Sequence, residues 1–222
     1  MGSPSTNAFS PPFAGGQKLV HSVSWLTPCG SNTSTNATGL ARADLKSGIM
    51  HLDSDASFNG SCAGTTIAGG SVAQSLAGFR TAPFNVTATR NYNVTFHLIL
   101  NWNASAFAKG TYAYSDVIGY ILLSVVESPN NTSVGHLHKS VAFVSMSAHS
   151  SRGQKLISIG RNVNETIVIS LNLSVGHLYR AESTIHVSTG AGVSSGTAGV
   201  AISSIELARG RMTSVLSSVV IS

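Results

Sequence analysis

Apolar and polar residues alternate most regularly between Tyr92 and Trp102, where every even-numbered position is apolar or aromatic. A period of two predicts a β-strand with one face buried in a core. The odd-numbered positions include Asn93 and His97, and Ile99 is the apolar exception among them. We therefore expect one face of this strand to build the core and the other face to meet solvent.

The same alternation recurs along the rest of the chain. Val163–Val175 is apolar at most odd-numbered positions, and Leu178–Thr189 alternates in the same way. Further strands are predicted near Lys18–Thr27, Ser140–Ala148 and Lys155–Ile159. About ten short strands with turn residues between them predict an all-β protein, an antiparallel β-sandwich or jelly roll.

Four segments have a less regular pattern. Thr111–Glu127 is apolar on both faces at its centre, so we expect one or two strands covered on both sides. Ser71–Phe79 is the one candidate for a helical turn, and Pro28–Leu40 is expected to be a polar loop. The sequence Ala-Arg-Gly-Arg at 208–211 is expected to form a turn between two strands.

The N-terminal residues Met1–Gln17 are predicted to form an extended arm. They contain three prolines and three glycines, and Phe9 and Phe13 are their large apolar side chains. Prolines cannot donate backbone hydrogen bonds to a sheet, so pairing is expected to begin after Gly16. Residues 18–222 are then expected to form a single β-sandwich domain.

Sites for N-linked glycosylation, with the sequence Asn-X-Ser/Thr, are unusually frequent. Ten of these sequons are present, more than the Ser and Thr content would give by chance. Both sequon asparagines of Val163–Val175 lie on the polar face of that predicted strand, where a glycan would meet solvent. The sequon asparagines are Asn32, Asn36, Asn59, Asn85, Asn93, Asn103, Asn130, Asn131, Asn164 and Asn172.

Composition argues for an exported protein. Charged residues make up 9% of the chain, against a usual value of about 25%. The net charge of +5 arises from having few carboxylates, and the Lys and Arg residues are scattered, so nucleic-acid binding is not expected. No apolar run is long enough to span a bilayer. Together with the sequons, these features predict an extracellular or cell-surface location.

Cys29 and Cys62 are the only cysteines, and each has Gly, Ser and Asn neighbours that are typical of loops. In an exported protein the two are expected to form a disulfide between loops. Two unpaired thiols in a reducing compartment are the alternative, and a non-reducing mass measurement distinguishes the two states.

Candidate chemistry is sparse. His136 and His138 would lie on one strand face and could begin a zinc or copper site, but most such pairs are surface histidines. His51, Asp53 and Asp55 lie within five residues but lack calcium-loop spacing, so a solvated loop is expected. Phosphate-binding, dinucleotide and nucleophile-elbow motifs are absent from the sequence. We therefore expect no metal, no cofactor and no enzymatic activity.

The dense sequons, the Ser/Thr/Gly-rich β pattern, the low charge and the proline-containing arm resemble subunits of archaeal extracellular filaments. These are the thread-like or bundling pili that are built by donor-strand exchange. The resemblance lies in composition and sequence pattern and not in a motif. S-layer and viral coat proteins share the same features.

The resemblance implies a structural subunit that polymerises by adding its N-terminal segment to the sheet of a neighbouring copy. Phe9 and Phe13 would anchor this segment, and Leu19, Val23 and Trp25 would complete the sheet. The alternative for the arm is that it folds back on its own domain. The alternative for the function is a secreted monomeric carbohydrate-binding or adhesive β-sandwich, with a secreted hydrolase as a third hypothesis.

Overall fold

In the computed structural model, residues 7–26, 34–64, 67–110, 113–128, 130–148, 154–195 and 200–222 are described. These residues form eleven strands and no helix. No helix in the described part has the length and hydrophobicity needed to cross a bilayer. The strands are β1 (Asn7–Phe9), β2 (Gly15–Leu26), β3 (Ser34–Asp44), β4 (Ile49–Gly64), β5 (Ile67–Arg80), β6 (Arg90–Gly110), β7 (Ala113–Ser128), β8 (Thr132–Ala148), β9 (Gln154–Leu173), β10 (Leu178–Ser195) and β11 (Val200–Ile221).

The strands form two antiparallel sheets. Sheet A has the order β3-β4-β11-β6-β9, with β1 pairing the end of β11, and sheet B has the order β2-β5-β10-β7-β8. Without β1, β2 and β3, eight strands remain in the order β4-β11-β6-β9 facing β5-β10-β7-β8. This is the strand order of a jelly roll. The predicted all-β sandwich or jelly roll is confirmed.

The core lies between the sheets and follows the predicted alternation on β6 and β9. Tyr92, Val94 and Leu100 on β6 are buried, as are Ile167 and Ile169 on β9. The largest fully buried side chains belong to both sheets, so one continuous apolar layer holds the sandwich together. They are Phe58, Phe96, Met50, Leu52, Leu100, Ile121, Leu123, Leu173, Ile185, Met212 and Leu216.

Buried serines join the two sheets directly. Ser54 on β4 donates a hydrogen bond to the carbonyl oxygen of Ala73 on β5 at 2.8 Å. In the opposite direction, Ser75 on β5 donates to the carbonyl oxygen of Asp53 at 2.6 Å. Ser115 on β7 donates to the carbonyl oxygen of Leu207 at 2.7 Å. These bonds require the sheets to lie close together here, and small core residues permit that approach.

The predicted helical turn at Ser71–Phe79 is wrong, because these residues belong to β5. Their core-facing side chains alternate as in a strand, but Ser71, Ala73, Ser75 and Ala77 are small or polar. Hydrophobic alternation is therefore weak in the sequence. The expected polar loop at Pro28–Leu40 is also wrong from Ser34 onward, where β3 begins.

The expected turn at 208–211 is absent, and β11 continues from Val200 to Ile221. Gly210 faces the core, and a β-carbon there would lie 2.5 Å from Val187 Cγ1 and 2.7 Å from Val117 Cγ1. The glycine thus marks a close approach between sheet A and sheet B, which its sequence neighbours do not reveal.

The N-terminal segment pairs within its own chain. Asn7 pairs with Ile221, and β2 begins at Gly15 and pairs with β5 along its length. The prediction that no strand lies in the arm Met1–Gln17 is therefore wrong for Asn7–Phe9, and pairing begins at Gly15, close to the predicted start after Gly16. Phe13 is buried and stacks on Phe79 with 5.3 Å between ring centroids, and Phe9 lies 5.7 Å from Phe84.

The outer side of β7 is not covered, contrary to the expectation for Thr111–Glu127. Leu122 is 36% exposed, and Ile118 and Tyr120 are half-buried on the same outward side. Their opposite side, with Val117 and Ile121, is buried in the core.

Candidate functional site

Six of the ten sequon asparagines lie on the outer surface of sheet A, which we call the sequon face. All six point away from the core, and all are exposed. Strands β3, β4, β6 and β9 supply them, so the sequons extend from one edge of the sheet to the other. They are Asn36, Asn59, Asn93, Asn103, Asn164 and Asn172.

The strands of sheet B, whose outer surface we call the bare face, contain no N-glycosylation sequon. None of the five strands of sheet B contains a single asparagine. The two surfaces of one sandwich therefore differ sharply in the modification that they can carry. Sequence alone indicates outward sequons on individual strands, but the strand order is needed to show that they share one face.

The sequon at Asn93 has a neighbour that orients its side chain. Ser170 on β9 donates a hydrogen bond to Asn93 Oδ1 at 2.6 Å. This bond uses the amide oxygen, whereas a glycan attaches to the amide nitrogen. The amide nitrogen of Asn93, to which a sugar would attach, is therefore not used by this hydrogen bond.

The other four sequons lie away from the sequon face. Asn85 is exposed in the segment between β5 and β6. Asn130 and Asn131 are exposed at the turn from β7 to β8, where Asn131 has φ +55°, a conformation that asparagine tolerates well. Asn32 lies outside the described residues.

Several exposed apolar side chains on the sequon face adjoin sequons. Ile99 on β6, 43% exposed, is the register partner of Asn164 on β9. Ile205 on β11, 45% exposed, is the register partner of Asn59 on β4. Directly opposed residues in an antiparallel pair have β-carbons about 5 Å apart. The asparagines therefore lie within reach of uncovered apolar surface.

The predicted loop around His51 is part of β4, and its polar residues form ion pairs on the sequon face. His51 Nδ1 lies 2.9 Å from Thr213 Oγ1, and His51 Nε2 lies 3.2 Å from Asp53 Oδ2. Arg211 Nε lies 3.4 Å from Asp53 Oδ1, and Arg209 Nε lies 3.8 Å from Asp55 Oδ1. Both carboxylates thus have a nearby arginine on β11, and the network links β4 to β11.

The described part of the chain contains no group of three or more His, Cys, Asp or Glu side chains arranged to hold a metal ion. His136 is exposed on the edge strand β8, opposite Ser124. The side chain of His138 lies outside the described part.

Four side chains form a continuous row across the bare face. Leu19, Leu76, His186 and Tyr120 are register partners from β2 through β5 and β10 to β7. The rings of Tyr120 and His186 lie 4.5 Å apart, and Leu19 is 61% exposed. This row gives the bare face an apolar and aromatic centre. The predicted assembly residues Leu19 and Val23 lie on this face, whereas Phe9 and Phe13 pack inward.

Asp116 lies on the bare face beside Gly190. A β-carbon at Gly190 would lie 2.6 Å from Asp116 Oδ1, so the missing side chain leaves room for the carboxylate. Burial raises the pKa of Asp116 above its ordinary value, because the charged form loses contact with water.

A small cleft lies on the same face near the start of β2. Its volume is about 100 Å³, and Gln17, Arg80, Glu182 and Thr184 provide polar groups around it. Gln17 Nε2 donates a hydrogen bond to Thr184 Oγ1 at 3.2 Å. The cleft is small compared with ligand pockets of about 300–1,000 Å³.

The predicted disulfide remains a prediction. Cys29 lies outside the described residues, and so does the side chain of Cys62. The backbone of Cys62 lies within β4 opposite Ile202, so the expectation of a loop at this cysteine is wrong. The side chain of Trp25 is also outside the described part.

No protein-family model and no curated protein sequence matches the chain. A family 11 carbohydrate-binding module from Clostridium thermocellum is similar over 97% of this chain and 98% of its own, at 9% identity and a TM-score of 0.18. A tailspike protein domain from bacteriophage CBA120 is similar over 84% of this chain and 19% of its own, at 11% identity and a TM-score of 0.19. Structural similarity at these TM-scores supports no conclusion about fold or function. The assignment of the jelly roll rests on the strand order alone.

Proposed function

We propose that this protein is a structural subunit of a glycosylated extracellular assembly, a filament or a surface layer. The observation that supports this most is the arrangement of six exposed sequon asparagines on one sheet face and no asparagine in the strands of the other sheet. A protein whose function required only solubility would have no need to keep one large face free of N-linked sugars.

In this proposal the two faces have different roles. Glycans are bulky and hydrophilic, so the sequon face would point to solvent and resist contact with other proteins. The bare face is five strands wide at about 4.8 Å per strand, and each strand is more than ten residues long at about 3.3 Å per residue. Its area is therefore at least on the order of the ~800 Å² per partner that a stable interface buries. It can therefore accommodate a neighbouring subunit.

Residues 7–26 are our candidate for the link between subunits. They pair with β11 and β5 of their own chain, and the same pairing on a neighbour would be a strand exchange that preserves every contact. The side chains from Gln17 to Ser24 are all partly exposed, and β2 pairs with β5 along its whole length, so backbone hydrogen bonds are a large part of what holds it. The apolar contacts of Phe9 and Phe13 would be remade on the neighbouring sheet in the same register.

Electron microscopy of protein from the native source tests the assembly. We expect filaments or sheets of regular repeat, and deletion of residues 1–27 should leave only dispersed particles or amorphous aggregates. A variant with Leu19→Ser and Val23→Ser keeps the backbone pairing of β2 but removes apolar groups from the bare face. Assembly that survives in this variant supports β2 as the link, and loss of assembly would place the essential contact on the bare face instead. Regular assemblies formed by the truncated protein would contradict the proposed link.

Carbohydrate binding by the bare face is the second candidate. It is favoured by the row that contains Tyr120 and His186, because aromatic rings can stack on sugar rings while polar neighbours bind hydroxyl groups. Calorimetry with soluble plant and microbial polysaccharides tests it. Binding that Tyr120→Ala abolishes would support this candidate, and a lack of heat with every polysaccharide would contradict it.

A further inference from the structure

We propose that the glycans on Asn164 and Asn59 lie back on sheet A and cover Ile99 and Ile205. This inference rests on the proposed glycosylation and adds a role for the sugars. The sugar attached to each asparagine would then be a packed part of the fold, in addition to a coat in solvent.

The register of sheet A carries the argument. Asn164 pairs with Ile99 across β9 and β6, and Asn59 pairs with Ile205 across β4 and β11. With β-carbons about 5 Å apart, a sugar ring on the asparagine amide lies above the neighbouring strand. Pyranose rings have one surface lined with C–H groups, which can cover apolar atoms and remove them from water.

The surface next to Asn164 is more extensive than one side chain. Val215 on β11 pairs with both Ile99 and Ile49, so the three side chains form an apolar row across β4, β11 and β6. Ile49 is 40% exposed and Ile99 is 43% exposed. Asn164 stands at the β9 end of this row. A group that covers such a contiguous apolar strip removes it from water and so stabilises the fold.

Val168 fits the same pattern. It is 49% exposed and pairs with Thr95, the third residue of the Asn93 sequon. Asn93 itself pairs with Ser170, so Val168 is its diagonal neighbour. Three exposed aliphatic side chains on this face therefore lie beside sequon asparagines, two directly and one diagonally.

Two other sequons on the same face provide matched controls. Asn172, on the same strand as Asn164, pairs with Asn91. Asn103 pairs with Gly160 on one side and Arg211 on the other. A glycan at either position has no directly opposed aliphatic side chain to cover, although it adds the same bulk and the same hydroxyl groups.

The test measures melting temperatures of protein purified from a glycosylating source. Asn164→Gln and Asn59→Gln should each lower the melting temperature by about 2–4 °C, the shift of a chain of this size for one modest interaction. Asn172→Gln should leave it within error. In an Ile99→Thr background, Asn164→Gln should have no further effect, because the covered surface has already been removed. Ile99 is exposed, and threonine retains the preference for strands, so the background variant is expected to fold.

Glycopeptide mass spectrometry of each variant separates the possible failures. An unmodified Asn164 in the parent protein would overturn this inference and also count against the proposed glycoprotein. Occupied sites with equal shifts for Asn164→Gln and Asn172→Gln, or a shift that persists in the Ile99→Thr background, would overturn the packing and leave the proposed function standing. An apolar row that instead binds a neighbouring subunit would appear as Ile99→Thr changing assembly without any dependence on the glycan, and that result would also overturn the packing.

Discussion

Asn164 on β9 lies directly opposite Ile99 on β6, so a glycosylation site and an exposed aliphatic side chain share one position of the sheet. The relationship exists because both residues face outward on adjacent strands. It places two unusual features of the chain next to each other, its many sequons and its incompletely buried apolar residues. In our account the first property compensates for the second.

Gly210→Ala is expected to destabilise the sandwich by about 1–3 kcal/mol, because the added methyl group overlaps Val187 and Val117 across the sheet interface. Urea unfolding measures the change. Gly160→Ala is the matched control, since its β-carbon would make ordinary contact with the nearest atom at 3.5 Å. Equal stability of the two variants would show that the sheets are not closely packed at Gly210.

Ser75→Ala is expected to cost about 1 kcal/mol, because the buried hydrogen bond to the Asp53 carbonyl oxygen is lost. Ser217→Ala removes a comparable bond, to the carbonyl oxygen of His97 at 3.0 Å, at an exposed position. We expect that control to change the urea midpoint little. A larger loss for Ser217→Ala would be evidence against serine links between the sheets.

Asp116→Asn should stabilise the protein at neutral pH. The pKa of Asp116 is raised by burial, so the folded state binds the proton more tightly than the unfolded state. Its ionisation therefore costs stability as the pH rises from about 4 through the folded pKa. The melting temperature of the variant should be higher than that of the parent protein at pH 7, and the difference should disappear below about pH 4. A gap that widens in acid would contradict this sign.

Acid should weaken the fold only modestly. The hydroxyl of Ser47, and then the backbone N–H of Lys46, lower the pKa of Asp44, so this carboxylate stabilises the folded state above its unfolded pKa. That contribution is lost as the pH falls below about 4, while the cost at Asp116 is relieved there. With eight carboxylates in the chain, the net loss between pH 7 and pH 4 should be small. A steep fall of the urea midpoint in this range would refute the expectation.

The sequence predicted the fold where large apolar residues mark the core. Tyr92, Val94 and Phe96 made β6 evident, and the outward position of Asn93 followed from the same period. β5 was missed because Ser71, Ala73 and Ser75 occupy its core positions, where sheets in close contact require small side chains. Gly210 wrongly suggested a turn, because the glycine is required by the close approach of sheet B to sheet A. That approach is a property of the tertiary structure and cannot be read from the neighbouring residues.

The candidate site depended still more on long-range pairing. Outward sequons were predictable on β6 and β9 individually. Their shared face, and the pairs of Asn164 with Ile99 and Asn59 with Ile205, required the order and register of strands far apart in the chain. The absence of asparagine from sheet B is visible in the sequence only after its five strands are known.

Site-by-site glycopeptide mapping of protein from its native source tests the central claim most directly. The account predicts glycans on most of the six asparagines of the sequon face, with Asn93, Asn164 and Asn172 occupied, and an intact mass above the 22.9 kDa of the bare chain. An intact mass equal to that of the unmodified chain, with all six asparagines free, would contradict it.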